Sequence, residues 1–462
     1  MVVIGAGPAG EKGAAQAAYF GKRVAIVERQ ERAGGAAAIN AWVPSKTLRE
    51  AALYLTGFRH RDVYEGLSLD LDPTFAVGRL RARSRRVIET ITGEVRSNID
   101  AHGIELVRGD ARLGLDRTVH VMTAKGETRD LQADAILVAT GSRPFHPPGI
   151  DFDDPDVVDS ATVLDLDQPV RRLVIIGGGA VGCEYASIFR ALASEVTLVD
   201  ERSRLIPTMD HDICDGLADA LRDIGVQVKL GAGRVQVRRD REGLIVEIPG
   251  HGIVRADKLL FAAGRVGNIE GLALDEIGVV VEERGRINVD DCYRTSAPEI
   301  YAAGDVIGPP ALASVSMEQG RVAACHAFGI PFKQMVDPIT PIGVYSIPEA
   351  AAAGITEQQA AADGIDYELG LARFARNSRS MISGNADGFI KLVFRRADRR
   401  LLGVHILGES ATELVHHGQA VLHIDGGIDY FIQAVYNVPT LTETYKYAAY
   451  NGLQRLAHHS AI

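Results

Sequence analysis

Cysteine, tryptophan and long apolar runs are all scarce in this chain, and each shortage removes a class of function. The 462 residues include four cysteines, Cys183, Cys214, Cys292 and Cys325. No two stand at the C-x-x-C spacing of a redox or zinc pair. Scattered single cysteines read as small buried hydrophobes, so no disulfide framework and no metal site are expected. No stretch approaches the roughly 18 apolar residues of a bilayer span. The opening Met1-Val2-Val3-Ile4-Gly5 carries no basic leader and no cleavage site, so the fold is expected to start near Met1 and the protein to be cytoplasmic. Basic residues are outnumbered, 50 Lys and Arg against 60 Asp and Glu, for a net charge of −10. That balance argues against nucleic acid or an anionic membrane as partner.

What remains is an ordinary globular composition, 46% hydrophobic and 24% charged, in a chain long enough for two or three domains. The N-terminal run Val2-Val3-Ile4-Gly5-Ala6-Gly7-Pro8-Ala9-Gly10 leads into an alanine-rich segment and then Val24-Ala25-Ile26-Val27-Glu28. That is strand, glycine turn, helix and a second strand ending in an acid. Gly5 permits the tight turn, Gly7 lets backbone approach a pyrophosphate, and Gly10 lets the helix pack on the strand. The helix N-terminus offers N–H groups and positive dipole to the phosphates, and Glu28 suits a ribose diol.

The unit recurs at Leu173-Val174-Ile175-Ile176-Gly177-Gly178-Gly179-Ala180-Val181-Gly182, with Val196-Thr197-Leu198-Val199-Asp200 as its second strand. In both copies 23 positions separate the first glycine from the acid, 28 − 5 and 200 − 177. One G-x-G-x-x-G is weak evidence; two in matching context are strong. Strand-like runs ending at Thr140-Gly141-Ser142 and at Gly264-Arg265 close the two units. A further one, Ile300-Tyr301-Ala302-Ala303-Gly304-Asp305-Val306, ends in a Gly-Asp turn whose carboxylate suits a polyol such as the ribityl chain of FAD.

The expected fold is therefore α/β: two Rossmann-like dinucleotide-binding domains, for FAD and NAD(P), plus a C-terminal α+β dimerisation domain. Residues 1–150 and 267–337 form the FAD-binding and central domain, 151–266 the NAD(P)-binding domain, and 338–462 the interface domain. Proline-rich passages at Pro144–Pro148 and Pro331–Pro341 fit boundaries. The basic run Arg79-Leu80-Arg81-Ala82-Arg83-Ser84-Arg85-Arg86 reads as a solvated helix face. His416 and His417 are adjacent and so point in different directions on a helix; with His405 they read as packing rather than a metal site.

The chain resembles the flavoprotein disulfide reductase family along its length. The likeness rests on Gly5 to Lys12, Val43-Pro44-Ser45-Lys46-Thr47-Leu48-Arg49-Glu50, Gly182-Cys183-Glu184-Tyr185-Ala186-Ser187 and Tyr301 to Gly308. It continues in Met317-Glu318-Gln319-Gly320-Arg321, Tyr345-Ser346-Ile347-Pro348-Glu349 and Asn437-Val438-Pro439-Thr440-Leu441-Thr442-Glu443. Within the family the chain is most similar to the soluble, FAD-containing pyridine nucleotide transhydrogenase branch. The resemblance implies that Gly5, Gly7, Pro8, Ala9, Gly10, Glu28, Arg29 and Gly35 touch FAD, with Ser45, Lys46, Thr140, Gly141, Gly304, Asp305, Leu312 and Ala313. It implies that Gly177, Gly179, Gly182, Glu184, Asp200, Glu201, Arg202, Gly264 and Arg265 serve NADH or NADPH.

One departure carries the functional expectation. Disulfide-reducing members place cysteines nine and four residues before the lysine of Pro-Ser-Lys, where this chain has Ala37 and Trp42. A dithiol relay needs two sulfurs. The histidine that such members supply from the partner subunit is here Asn437, an amide that shuttles no proton, although Glu443 remains. Both losses point to ping-pong hydride transfer through flavin, with a second nicotinamide nucleotide as acceptor. The alternatives are an NAD(P)H dehydrogenase serving a quinone or other non-disulfide acceptor, and a silent flavin-binding redox sensor.

Lys46, paired with Glu184, is expected beside the reactive flavin nitrogen, against the alternative of a solvated lysine. Trp42, the only tryptophan, is expected either to stack on the isoalloxazine or to pack in the core. Asp200 favours NADH, while Arg202 and Arg204 either attract a 2′-phosphate or are merely solvated. A homodimer follows from the resemblance, with Asn437 and Glu443 lining the partner's flavin site.

Overall fold

The computed structural model describes residues 1–56 and 73–459. Its first sheet is fully parallel, in the order Ile300–Ala302, Ile136–Val138, Val2–Ile4, Ala25–Glu28, Glu105–Arg108. One face of this sheet packs on helices and the other on the strands Asp110–Leu113 and Thr118–Met122, so Ile136–Val138 and Val2–Ile4 are apolar throughout and Ala25–Glu28 turns polar only at its last residue. Gly5 leaves the first strand at φ +102° and the helix Pro8–Tyr19 starts three residues past it, with proline in its first turn. A side chain is excluded at Gly10, where a Cβ would lie 1.9 Å from the Gly5 carbonyl oxygen. The same helix crosses Ala313–Ala327 at backbone contact, since a Cβ on Gly320 would lie 2.1 Å from the Ala9 oxygen.

The second unit repeats the plan with parallel strands Gln227–Lys229, Glu195–Val199, Arg172–Ile176, Lys258–Phe261 and Val157–Asp159. Each unit also carries a three-stranded antiparallel sheet, 110–132 in the first and 236–256 in the second.

The C-terminal sheet is antiparallel, ordered Ile342–Val344, Glu349–Gly354, Leu401–Gly408, Gly388–Arg395, Tyr367–Arg373. Alternation decides its two faces. Ile390, Leu392, Val404 and Ile406 pack under helix Ala411–His423, together with Leu414 and Val415. Phe389 and Leu407 point the other way and join Ile213, Leu217 and Leu221 of the second unit in one core.

Lys391 and His405, paired across neighbouring strands, share that second face. Lys391 is buried and bonds Asp210, Asp212 and Glu357 at 2.8, 2.7 and 2.5 Å. His405 is buried beside it and bonds the Ile355 carbonyl through Nε2. His417 packs among Tyr430, Phe431, Tyr436 and Tyr445. Cys183, Cys214 and Cys325 are buried and Cys292 half-buried, all four free. Burial pushes the Cys214 thiol up to about 11 and the Cys183 thiol higher still, so neither ionises readily. Among the described residues, no helix is long and apolar enough to cross a membrane.

Candidate functional site

At the first glycine turn, the Glu28 carboxylate accepts the Ala6 and Gln30 N–H groups at 2.8 and 2.7 Å. Each oxygen keeps a lone pair for a further donor. Gly7 and Gly35 meet nearly backbone to backbone, a Cβ on Gly35 falling 2.7 Å from the Gly7 Cα. Gly35 opens the short helix Gly35–Ile39. Glu11, buried in the first helix, holds Lys12 at 2.9 Å and accepts from Asn98. Arg29 is exposed, 3.5 Å from Asp110.

Thr140 and Gly141 follow the strand Ile136–Val138, and the Thr140 hydroxyl is buried without a hydrogen-bond partner among the described residues. Asp305 accepts from Ser142 Oγ at 2.7 Å, and Arg265 donates to that same Oγ at 2.7 Å and lies 3.6 Å from Asp305. Gln319 receives the Gly304 N–H at 2.9 Å. Leu312 caps the helix that Ala313 begins. An orphaned buried hydroxyl, two carboxylates with spare acceptors and a glycine-to-glycine approach suit the diol, polyol and pyrophosphate of FAD. The residues present fit the group.

Helix Trp42–Thr56 carries Lys46 toward the second unit. Lys46 Nζ bonds both Glu184 oxygens at 2.8 and 2.6 Å, and it lies 4.8 Å from the Tyr345 ring centroid. The Glu184 side chain is 7% exposed and also receives the Tyr345 N–H at 3.0 Å. Lys46 is thus anchored rather than a solvated surface lysine. One turn on, buried Arg49 bonds buried Glu349 at 3.0 Å, and Glu349 accepts from Thr412. Trp42 is 41% exposed, so it is not packed in the core. Ser45 is buried and bonds the Trp42 carbonyl.

In the second unit Gly177 turns at φ +115°, and Gly182 sits where a Cβ would strike the Gly177 oxygen at 1.7 Å. Apart from its chain neighbours, no heavy atom of the described residues lies within 4 Å of a Cβ on Gly179, which leaves that approach open. Asp200 accepts the Gly178 N–H and is gripped in a two-point ion pair by Arg202, at 2.8 and 2.7 Å. Burial alone would raise the Asp200 carboxyl, but the bonds from Arg202 and the two backbone N–H groups outweigh it and hold it below the usual range. Arg204 pairs instead with Asp215 at 2.9 Å, and Glu201 is exposed. Gly264, at φ +116°, bonds Phe145 N–H through its carbonyl.

Asn437 and Glu443 stand apart from this cluster. Asn437 is exposed next to Val438 and Pro439, and Glu443 accepts from Tyr447 at 3.0 Å. Neither bonds Lys46 or Glu184 among the described residues. Tyr345, Arg49 with Glu349, and Ser142 were not singled out as site residues from sequence, although each lies in or beside a motif that was. The signal was present in Tyr345-Ser346-Ile347-Pro348-Glu349, but not the pairing.

The two-unit architecture matches known proteins over nearly its whole length. Residues 1–320 match the family model described as pyridine nucleotide-disulphide oxidoreductase, and residues 340–449 match the dimerisation domain of that family. A soluble pyridine nucleotide transhydrogenase of Mycobacterium bovis is 41% identical over 99% of this chain and 97% of its own. The protein of that name from Marinomonas is 37% identical over 99% of this chain and 98% of its own. Among solved structures, the HOCl-induced flavoprotein disulfide reductase RclA of Escherichia coli, as its Cu(II) complex, superposes with TM-score 0.87. It is 26% identical over 97% of this chain and 98% of its own. LpdA of Mycobacterium tuberculosis gives 0.87 at 27% identity, over 97% and 98%. The chain belongs to the pyridine nucleotide-disulphide oxidoreductase family and is an FAD-dependent NAD(P) oxidoreductase.

Proposed function

We propose that this protein exchanges hydride between NADH and NADP⁺ at one flavin, with no thiol relay. The reading is carried by one juxtaposition: Lys46 and Glu184 join the two nucleotide units at 2.6–2.8 Å, while Ala37 and Trp42 occupy the positions of the absent sulfurs. The relatives named soluble transhydrogenases, at 37–41% identity, support it. Bound FAD would supply a ring that takes up and returns a hydride. Lys46 holds a fixed ammonium at the junction, and such a charge favours negative charge developing beside it. Glu184 orients that ammonium and is itself held by the Tyr345 N–H. Asp200 receives the adenosine ribose, and Arg202 supplies a guanidinium within reach of a 2′-phosphate. Trp42 lies open to the site and closes the face that disulfides use in other members.

Residues 1–150 and 267–337 would hold FAD, 151–266 the nicotinamide nucleotide, and 338–462 would pair with a second copy. Asn437 and Glu443 would then face the partner's flavin site. The protein would act in the cytoplasm. The test is anaerobic: NADH should bleach the yellow holoenzyme, and thio-NADP⁺ should restore its colour. Restoration by lipoamide or glutathione disulfide, and not by nucleotide, would refute the reading.

A further inference from the structure

The C-terminal sheet reaches Lys46 of its own chain through a turn. Tyr345 follows the edge strand Ile342–Val344 and precedes Glu349–Gly354. Both neighbouring units pin that turn. The Tyr345 N–H bonds Glu184 and the Ile347 N–H bonds Ser187 Oγ, each at 3.0 Å. Glu184 and Ser187 stand three residues apart on helix Ala180–Ala191, and so on one face. From the other side Arg49, on helix Trp42–Thr56, donates to the Ser346 carbonyl at 3.2 Å and pairs with Glu349. A turn held from both flanks fixes where the Tyr345 side chain lies. Its ring centroid is 4.8 Å from Lys46 Nζ, inside the roughly 6 Å over which a ring face attracts a cation. Burial raises the Tyr345 pKa, with Glu349 adding to the rise and a hydrogen bond to Thr412 opposing it. The ring therefore meets the ammonium as a neutral phenol.

We propose that Tyr345 is a positioning residue for hydride transfer: its ring fixes the Lys46 ammonium, so that the C-terminal domain sets how strongly the reduced flavin is stabilised. A lysine stem is flexible over four carbons, and one carboxylate fixes the distance of its ammonium but not the direction. The ring removes that freedom, because its backbone is fastened to both nucleotide units. A charge stabilises a developing anion most when it is already in place. Tyr345 itself takes no electron and no proton. The inference rests on the flavin standing beside Lys46, as proposed above, and not on which acceptor the flavin serves.

The test compares Tyr345→Leu and Tyr345→Met, which lose the ring, with Tyr345→Phe, which keeps it. All three keep the backbone N–H to Glu184. In the holoenzyme the two ring-free variants should slow anaerobic flavin reduction by NADH about three- to tenfold, the loss of one cation–π contact. The two-electron flavin potential, read by dye equilibration, should fall by the equivalent, about 15–30 mV. Tyr345→Phe should recover most of both losses. In a Lys46→Met background the ring-free changes should leave the potential where Lys46→Met alone puts it, because the ring acts through the ammonium. Parental potentials in Tyr345→Leu and Tyr345→Met, or a Tyr345→Phe loss as large as theirs, would overturn the inference. So would a full further drop in the Lys46→Met background. Failure of thio-NADP⁺ to restore colour would strike the transhydrogenase reading alone, since the potential is measured with no acceptor nucleotide.

Discussion

Replacing Lys391 by methionine keeps most of the stem and deletes the ammonium, which isolates a charge in the core. Asp210 is wholly buried, whereas Asp212 and Glu357 are 55% and 27% exposed and can turn to water. The cost therefore concentrates on Asp210. An ion left unpaired by removal of its buried partner costs about 3–5 kcal/mol. Asp210 would keep the Asp212 and Glu357 N–H groups, at 3.0 and 3.1 Å, so the expected loss is at the low end, about 3 kcal/mol. The assay is urea unfolding of the holoenzyme followed by circular dichroism, at one protein concentration and saturating FAD. Adding Asp210→Asn removes the stranded charge and keeps the helix-capping oxygen. The double variant should then recover about 2 kcal/mol relative to the sum of the single ones. A Lys391→Met protein within about 1 kcal/mol of the parent, or strictly additive singles, would show that the knot of charges does not hold the nicotinamide unit to the C-terminal sheet.

Lys46→Met should slow flavin reduction by NADH about 100-fold, the loss typical of one preorganised charge; anaerobic stopped-flow absorbance reads it, and a parental rate contradicts the assignment. Asp200→Asn should shift the kcat/KM ratio toward NADPH by about tenfold, and Arg202→Leu toward NADH by a similar factor; unchanged ratios would leave the ion pair without a part in nucleotide choice. His405 gives a pH signature. Burial lowers its pKa in the folded protein below 6.5, so below that pH the unfolded chain binds a proton that the folded one refuses. The folded state therefore loses stability as pH falls from 6.5 toward the folded value. The melting temperature of His405→Gln should fall less steeply over that range, and parallel curves would exclude His405 as the cause.

Much of this was legible in the sequence because glycine constraints are local. Gly10 and Gly182 are dictated by the carbonyls of Gly5 and Gly177, five residues back, and Gly5 and Gly177 by their own positive φ, so the turns announce themselves. The Lys46–Glu184 pair spans 138 positions and was reached through resemblance, not spacing. Lys391 finds its carboxylates 181, 179 and 34 positions away, and nothing local marks a strand lysine as buried. The grip of Arg202 on Asp200 was equally hidden, since a carboxylate and an arginine two residues apart are as often independent. Trp42 shows the opposite limit: size argued for the interior, yet its place at the start of a helix leaves it exposed.

The first sheet has a consequence for how the polypeptide is made. Its edge strand Ile300–Ala302 and the helix that closes over Ala9 arrive only after the entire nicotinamide unit has left the ribosome. Until then Ile136–Val138 lacks its outer neighbour and Gly13 lacks the helix that crosses it. The nicotinamide unit, by contrast, is contiguous and can collapse first. During synthesis the second nucleotide fold is complete before the first, and FAD capture must wait for the last of them.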